Sequence, residues 1–258
     1  MSGETTLITD EVFELMELVR GADSVELKLT IPESEQRSTV AALELDPLDA
    51  QIRQVYFFDT PDLALNQVGV VVRARRVQGK GDDSVVKLRP VVPSDMPAEL
   101  RSSPSFGVEV DAMPGGFVCS ASMKSKTTPT PVWSVAHDGA PIRKLFTKDQ
   151  RAFYTQHAPA GLELDSLSLL GPIFVLKAVL SPADYPRGRF VTELWLYPDG
   201  SRILELSTKC APADLGATVL DARAFIKGRG IHTGGDQQTK TKTALAFFSA
   251  ELKRSTPS

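Results

Sequence analysis

The chain has 258 residues, of which 42% are hydrophobic and 24% charged, and its formal net charge at pH 7 is -3. This length allows one large domain or two small ones, with a core that needs no disulfide or metal to stabilise it. The slightly acidic balance argues against a general nucleic-acid binder, which is normally strongly basic, but it allows a local basic pocket.

Cysteine and histidine are too few and too scattered for a disulfide framework or a zinc site. Cys119 and Cys210 fit no zinc motif, and the three histidines lie in no HExxH pattern. The first residues lack the basic and apolar regions of a secretory signal, and no stretch reaches the ~20 apolar residues of a membrane span. We therefore expect a soluble protein in the reducing cytoplasm.

The first half of the chain begins with a predicted helix and continues mainly as predicted strands. Apolar residues at helical spacing predict an amphipathic helix at about 9–20, within an N-terminal segment 1–22. Residues 24–31 alternate polar and aliphatic, which predicts a strand with one polar face. A helix is expected at about 34–43. Further strand-like runs cover 51–58, 69–77, 84–90 and 106–111, and a hairpin loop at 78–83 joins the second and third of them.

The second half is less regular at its start. Residues 90–104 are expected to leave the sheet, and residues 113–135 are expected to be irregular and polar. A single domain over 1–258 is preferred, and a boundary inside 113–135 is the alternative. Strands follow at about 172–180, 189–197 and 201–208, with a hairpin turn at 198–201. Helices are expected at 212–226 and 239–252. These elements indicate an α+β domain built on an antiparallel sheet or barrel.

Charged residues repeat at every second position of several predicted strands. Converging Arg and Lys side chains suit a polyanion, and nearby carboxylates suit Mg²⁺ or Mn²⁺. A solvated sheet face shows the same alternation, so the pattern leaves open whether these side chains point to water or into a lumen. The sets are Glu26 with Lys28, Arg73 with Arg75, Lys87 with Arg89, Glu109 with Asp111, and Glu205 with Ser207 and Lys209.

Four segments, taken in order, carry a resemblance to a known family. They are residues 24–28 (SVELK), 55–65 (VYFFDTPDLAL), 69–76 (GVVVRARR) and 85–89 (VVKLR). They resemble the ExExK signature, the YYDTPDLAL segment, the LRxR element and the tunnel-lysine strand of the CYTH, or triphosphate tunnel metalloenzyme, family. Ser24 stands where the signature has its first glutamate.

The resemblance implies a closed antiparallel β-barrel with peripheral helices, whose lumen is lined by basic and acidic side chains. Known members hydrolyse inorganic triphosphate or other triphosphates with a divalent metal, and some are thiamine triphosphatases or class IV adenylyl cyclases. The partner implied for this chain is a triphosphate-containing small molecule, with no membrane and no specific nucleic acid, and the oligomeric state is left open.

The resemblance also implies roles for individual residues. Glu26 and Lys28 are the implied catalytic residues. Lys177 takes the place of a later tunnel arginine, and Lys242 or else Lys240 fits a terminal lysine. The full set implied to bind substrate is Lys28, Arg73, Arg75, Lys87, Arg89, Lys177, Lys242 and Lys240. The implied ligands of Mg²⁺ or Mn²⁺ are Glu26, Glu109, Glu193 and Glu205.

Two departures from the family pattern affect the metal site. Ser24 and Ser207 stand where acidic residues are expected, and fewer carboxylates weaken the binding of a divalent ion. The leading hypothesis is a metal-dependent triphosphate hydrolase. The rival is a non-catalytic protein that binds polyphosphate or nucleotide, and a class IV adenylyl cyclase is a lesser alternative.

Other features favour structural roles. Trp133 and Trp195 are expected to pack rather than to stack on a base. Residues 59–62 are expected to supply turn and capping interactions, and the basic cluster 124–126 is expected to be a solvated surface.

Overall fold

The computed structural model describes residues 15–128, 130–234 and 240–255. Within these ranges, nine strands form a closed barrel and eight α-helices surround it. The strands are β1 Ser24–Ile31, β2 Gln51–Asp59, β3 Val70–Val77, β4 Asp83–Leu88, β5 Phe106–Met113, β6 Gly116–Lys126, β7 Ser168–Leu180, β8 Phe190–Leu196 and β9 Arg202–Cys210. The helices are α1 over 15–21, α2 Gln36–Ala42, α3 Ala64–Gln67, α4 Ala98–Arg101, α5 Pro131–His137, α6 Lys148–His157, α7 Leu215–Gly228 and α8 Lys240–Ser255.

The barrel closes in the order β1-β5-β6-β4-β3-β2-β7-β8-β9, and β9 pairs back onto β1. The predicted α+β class and closed barrel are confirmed. The barrel is mixed rather than fully antiparallel, because β1 lies parallel to β5. In a closed barrel of nine strands, neighbouring strands cannot alternate in direction all the way round, so at least one pair must be parallel.

The outward strand faces are apolar and are covered by helices in three places. Helices α5 and α6 pack on β3 and β4, α2 and α7 pack on β1, β8 and β9, and α1 packs on β1, β5 and β6. Because side chains alternate between the faces of a strand, burying one face outside the barrel directs the other into the lumen.

Helix α8 covers an apolar region inside the barrel. Its Ala244, Leu245 and Phe248 pack on lumen residues that include Val55 and Ile173. The polar side chains of the same strands therefore lie beyond this apolar floor, in the remaining length of the lumen.

Most predicted elements are confirmed, including the β3–β4 and β8–β9 hairpins. The expectation that 113–135 is irregular is wrong: β6 occupies 116–126 and pairs with β4 and β5. Its small and serine-rich sequence hides the strand, because little of it is strongly β-forming. Residues 9–14 of the first predicted helix and residue 239 of the last lie outside the described residues. No helix among the described residues has the length and apolar character that a membrane span requires.

The segment after β2 has the predicted capping role. Asp59 Oδ1 accepts hydrogen bonds from the backbone N–H groups of Thr60 (2.7 Å) and Leu65 (2.9 Å), and its Oδ2 accepts one from Asn66 (3.0 Å). Thr60 Oγ1 accepts from Ala64 N. These bonds satisfy donors at the start of α3 that have no partner within the helix.

Candidate functional site

The barrel lumen encloses a cavity of about 1450 Å³ with a strong excess of positive charge. Every sequence-predicted site residue lines this cavity, although the role of each stays a prediction. The basic lining residues are Lys28, Arg73, Arg75, Lys87, Arg89, Lys124, Lys177, Arg187, Arg189, Lys209, Lys240 and Lys242, and the acidic ones are Glu26, Glu109, Asp111, Glu193 and Glu205. Because twelve basic and five acidic residues line the cavity, its electrostatic potential is positive and attracts anions into the lumen.

Asp111 on β5 is the meeting point of three cations. Its carboxylate lies 2.7 Å from Lys28 Nζ, 3.7 Å from Lys87 Nζ and 3.6 Å from an Arg89 guanidinium nitrogen. Burial opposes ionisation of Asp111, but Lys28 and Lys87 outweigh it and lower the carboxyl pKa to about 2. Asp111 is therefore a buried anion at neutral pH.

The same environment shifts the two lysines in opposite directions. Burial alone would lower the pKa of Lys28, but Asp111, Glu26 and Glu205 raise it above its usual value. Burial lowers the pKa of Lys87 to about 8, and Lys28 adds to this effect although Asp111 opposes it. Lys28 remains charged at any physiological pH, whereas Lys87 titrates close to that range.

Three carboxylates converge beside this cluster. Oxygens of Glu26, Glu109 and Asp111 lie within 4.8 Å of one another. Both Asp111 oxygens are buried and lack an aligned hydrogen-bond donor among the described residues, although Lys28 Nζ is close to one of them. Glu109 forms an ion pair with Lys209, and Ser24 Oγ donates to Glu109 Oε2 over 3.4 Å.

The four acids predicted to bind metal fall into two groups. Glu26 and Glu109 lie together with Asp111, whereas Glu193 and Glu205 both contact Lys240 Nζ, at 2.6 and 2.7 Å. Burial opposes ionisation of Glu193, but Lys240 lowers its pKa well below the usual range. Both groups are thus paired with lysines of the chain: Lys28 Nζ lies 3.2 Å from Glu26 as well as 2.7 Å from Asp111, and Lys240 lies between the two acids of the second group.

The two arginines of β3 differ in how far they are neutralised. Arg75 makes a two-pronged pair with Asp83, with Nε–Oδ1 and Nη2–Oδ2 distances of 2.8 Å. Arg73 Nε is buried and has no hydrogen-bond partner among the described residues. Burial lowers the pKa of Arg73 to about 10, and the like charge of Arg75 contributes. Arg73 therefore presents a charged donor group with spare hydrogen-bonding capacity.

Sequence reasoning assigned no role to several residues that the barrel brings to the site. Asp111 shares its strand face with Glu109 two positions earlier, and this spacing was the available signal. Arg187 and Arg189 precede β8 in a loop, where no periodicity marks them. The cluster 124–126 was predicted to be a solvated surface. Lys124 and Lys126 are exposed, but Lys124 also lines the lumen.

The tryptophans are placed differently from each other. Trp195 is buried in the apolar floor, as the packing prediction expected. Trp133 is 43% exposed on α5, and the Arg76 guanidinium lies 4.7 Å from its ring centre.

Comparison with known proteins shows likeness in fold without detectable likeness in sequence. No family model matches the chain, and no curated protein matches it. A solved structure from Hippeastrum, of a candidate adenylyl cyclase described as having a dominant triphosphatase activity, superposes with a TM-score of 0.62 at 16% identity. The match covers 86% of this chain and 95% of that one.

A candidate adenylate cyclase from Bacillus halodurans superposes with a TM-score of 0.57 at 12% identity, covering 85% of this chain and 98% of that one. At these identities the likeness concerns architecture. This chain therefore shares the barrel fold of these two proteins.

Proposed function

We propose that this protein is a CYTH-type hydrolase that binds a triphosphate-containing small molecule in its lumen and cleaves a phosphoanhydride bond with Mg²⁺ or Mn²⁺. The observation that carries the proposal is the convergence of an excess of cations and a carboxylate cluster inside one closed barrel. The triphosphatase activity described for the Hippeastrum protein of the same fold is consistent with it.

Glu26, Glu109 and Asp111 are the residues best suited to hold the divalent ion. Their oxygens are close enough to share one ion, and carboxylates are the hard ligands that Mg²⁺ and Mn²⁺ prefer. The buried Asp111 oxygens without aligned donors have the capacity for a further strong partner. When bound, such an ion would neutralise phosphate oxygens and acidify a bound water.

The basic residues would supply the remaining stabilisation of the phosphate chain. Arg73 offers planar donors, of which Nε has no partner among the described residues, and Lys28 and Lys87 offer compact charges next to the carboxylate cluster. Phosphoryl transfer depends mainly on positioning and on electrostatic stabilisation of the phosphate oxygens. In this proposal, preorganised lumen cations perform both tasks.

A second function, binding without turnover, has its own support. Ser207, which lines the lumen, and Ser24, whose hydroxyl donates to Glu109, stand where the resemblance implies acids, and Glu109 is already paired with Lys209. With its carboxylates reduced in number and partly neutralised, the site could hold polyphosphate and yet bind a divalent ion too weakly for catalysis.

Phosphate release from tripolyphosphate in the presence of Mg²⁺ or Mn²⁺ tests the proposal. We expect turnover by the wild type and a loss in kcat/KM on the order of 100-fold for Arg73→Ala. The matched control is Arg76→Ala on the same strand, because Arg76 points outward to Gln54 and Trp133. Arg76→Ala should retain turnover.

Binding of tripolyphosphate at two salt concentrations separates the alternatives. Salt-sensitive binding without metal-dependent turnover would reject the hydrolase and support the binding protein. Absence of both would reject triphosphate recognition altogether. Assaying ATP for cyclic AMP in parallel would detect a cyclase.

A further inference from the structure

Lys240, the first described residue of α8, inserts its ammonium group between two carboxylates of the barrel wall. Its Nζ lies 2.6 Å from Glu193 Oε2 on β8 and 2.7 Å from Glu205 Oε1 on β9. Glu193 and Glu205 are directly opposite each other in the β8–β9 ladder. Like charges at such positions repel, so this pair needs a cation between them.

The lysine is held on its main chain as well as on its side chain. Tyr197 Oη donates a hydrogen bond to the Lys240 carbonyl over 3.0 Å, and Lys240 Nζ lies 5.1 Å from the centre of the Trp195 ring. Trp195 Nε1 in turn donates to Glu193 Oε2 over 3.3 Å. The ammonium therefore lies between two carboxylates and near the Trp195 ring, while Tyr197 holds the main chain of Lys240.

Three other cations lie near this acid pair, and none of them contacts both acids. Lys177 lies opposite Glu193 in the β7–β8 ladder and Lys28 interacts electrostatically with Glu205, but neither forms an ion pair with that acid among the described residues. Arg53 lies 3.9 Å from Glu193, and no ion pair links it to Glu205 among the described residues. Lys242, on the same helix and also lining the lumen, forms no ion pair within the part of the chain that is described. Among the described residues, Lys240 is therefore the cation in direct contact with both Glu193 and Glu205.

We propose that Lys240 is a built-in counter-cation that takes the place a second divalent ion would occupy at Glu193 and Glu205, and that fastens α8 across the lumen floor. Lys240 is then a positioning residue rather than a ligand of substrate. The lumen holds one divalent ion, at Glu26, Glu109 and Asp111, and this last statement rests on the proposed function.

Counting bound Mn²⁺ tests the inference directly. Titration of the substrate-free protein, followed by electron paramagnetic resonance of free Mn²⁺, should give one bound ion for the wild type and two for Lys240→Met. The matched control Lys242→Met should bind one. Adding Glu193→Gln and Glu205→Gln to Lys240→Met should return the count to one.

Each outcome has a distinct meaning. Two ions in the wild type, or one in Lys240→Met, would overturn the inference. No ion in the wild type would overturn the metal site of the proposed function, and thermal melting would then decide the role of Lys240.

Melting curves in EDTA provide that independent measurement. Lys240→Met should lower Tm on the order of 10 °C, because it removes the ammonium that contacts both of two opposed and largely buried carboxylates. The variant that also carries Glu193→Gln and Glu205→Gln should regain most of the loss. A triple variant no more stable than Lys240→Met would contradict the counter-cation role, whatever the ion count.

Discussion

At the scale of single residues, Asp111 shows how much of the lumen depends on internal charge balance. It is fully buried, and the three cations that surround it would repel one another without it. Removing one partner of a buried charged group costs more than the pair itself contributes, because the remaining charges stay desolvated.

We therefore expect Asp111→Asn to reduce the free energy of unfolding by roughly 3–5 kcal/mol. Urea denaturation at pH 7 in EDTA measures the effect without a metal contribution. The control is Asp221→Asn, which removes a partly exposed pair with Arg187 and should cost about 0–1 kcal/mol. Equal losses in the two variants would contradict the role given to Asp111.

The lowered pKa of Lys87 predicts a pH dependence of anion binding. The free protein loses the Lys87 proton as pH rises through about 8, whereas a bound polyanion favours the charged form. Affinity for tripolyphosphate should therefore fall about tenfold between pH 7 and pH 9.

Calorimetric titration in EDTA provides the measurement for Lys87. Lys87→Arg keeps its charge over this pH range and reports any titration of the ligand itself. A wild type whose pH dependence matches that of Lys87→Arg would show that Lys87 does not cause the change.

At the scale of secondary-structure elements, helix α6 packs on the barrel through Phe153 and Tyr154 and is hydrogen-bonded to it through the buried side chain of Gln150. Gln150 is fully buried, and its Nε2 donates to the carbonyl oxygens of Ser84 (3.0 Å) and Met123 (3.1 Å). Its Oε1 accepts from Ser84 Oγ and, in a capping box, from the backbone of Thr147. One amide thus joins the start of α6 to β4 and β6.

Gln150→Leu should lower the free energy of unfolding by about 2–4 kcal/mol, because buried polar groups lose their partners. Gln156→Leu, on an exposed position of the same helix, should change it by about 0.5 kcal/mol or less. Urea denaturation of both variants measures the difference. A loss for Gln150→Leu no greater than for Gln156→Leu would show that these bonds do not stabilise the attachment.

The elements differ in how well the sequence predicts them. Strong alternation made β1 and β3 predictable, and the turn residues at 198–201 made the β8–β9 hairpin predictable. The helices α5 and α6 were not predicted, although Thr147 and Gln150 have the spacing of a capping box. The intervening short loops and turns obscured their periodicity.

At the scale of the whole molecule, periodicity alone left the direction of the polar faces undecided. The resemblance to the tunnel family implied that they point inward, and the closed barrel has this arrangement. Contacts between distant segments were beyond prediction because nothing local encodes them. Lys240 meets Glu193 and Glu205 only because α8 folds back onto β8 and β9. Asp111 meets Arg89 only because β6 pairs with both β4 and β5 and so brings them to the same side of the barrel.

The position of β1 between β5 and β9 affects how the chain can assemble. Residues 24–31 are made about 170 residues before residues 202–210, which form one of their two neighbouring strands. Until β9 is made, its two neighbours β1 and β8 each lack a partner along one side, and the barrel stays open. Such long-range pairing slows folding and leaves strand edges accessible to other chains. The nascent protein therefore passes through a stage that favours protection by chaperones, and this stage ends when β9 closes the barrel.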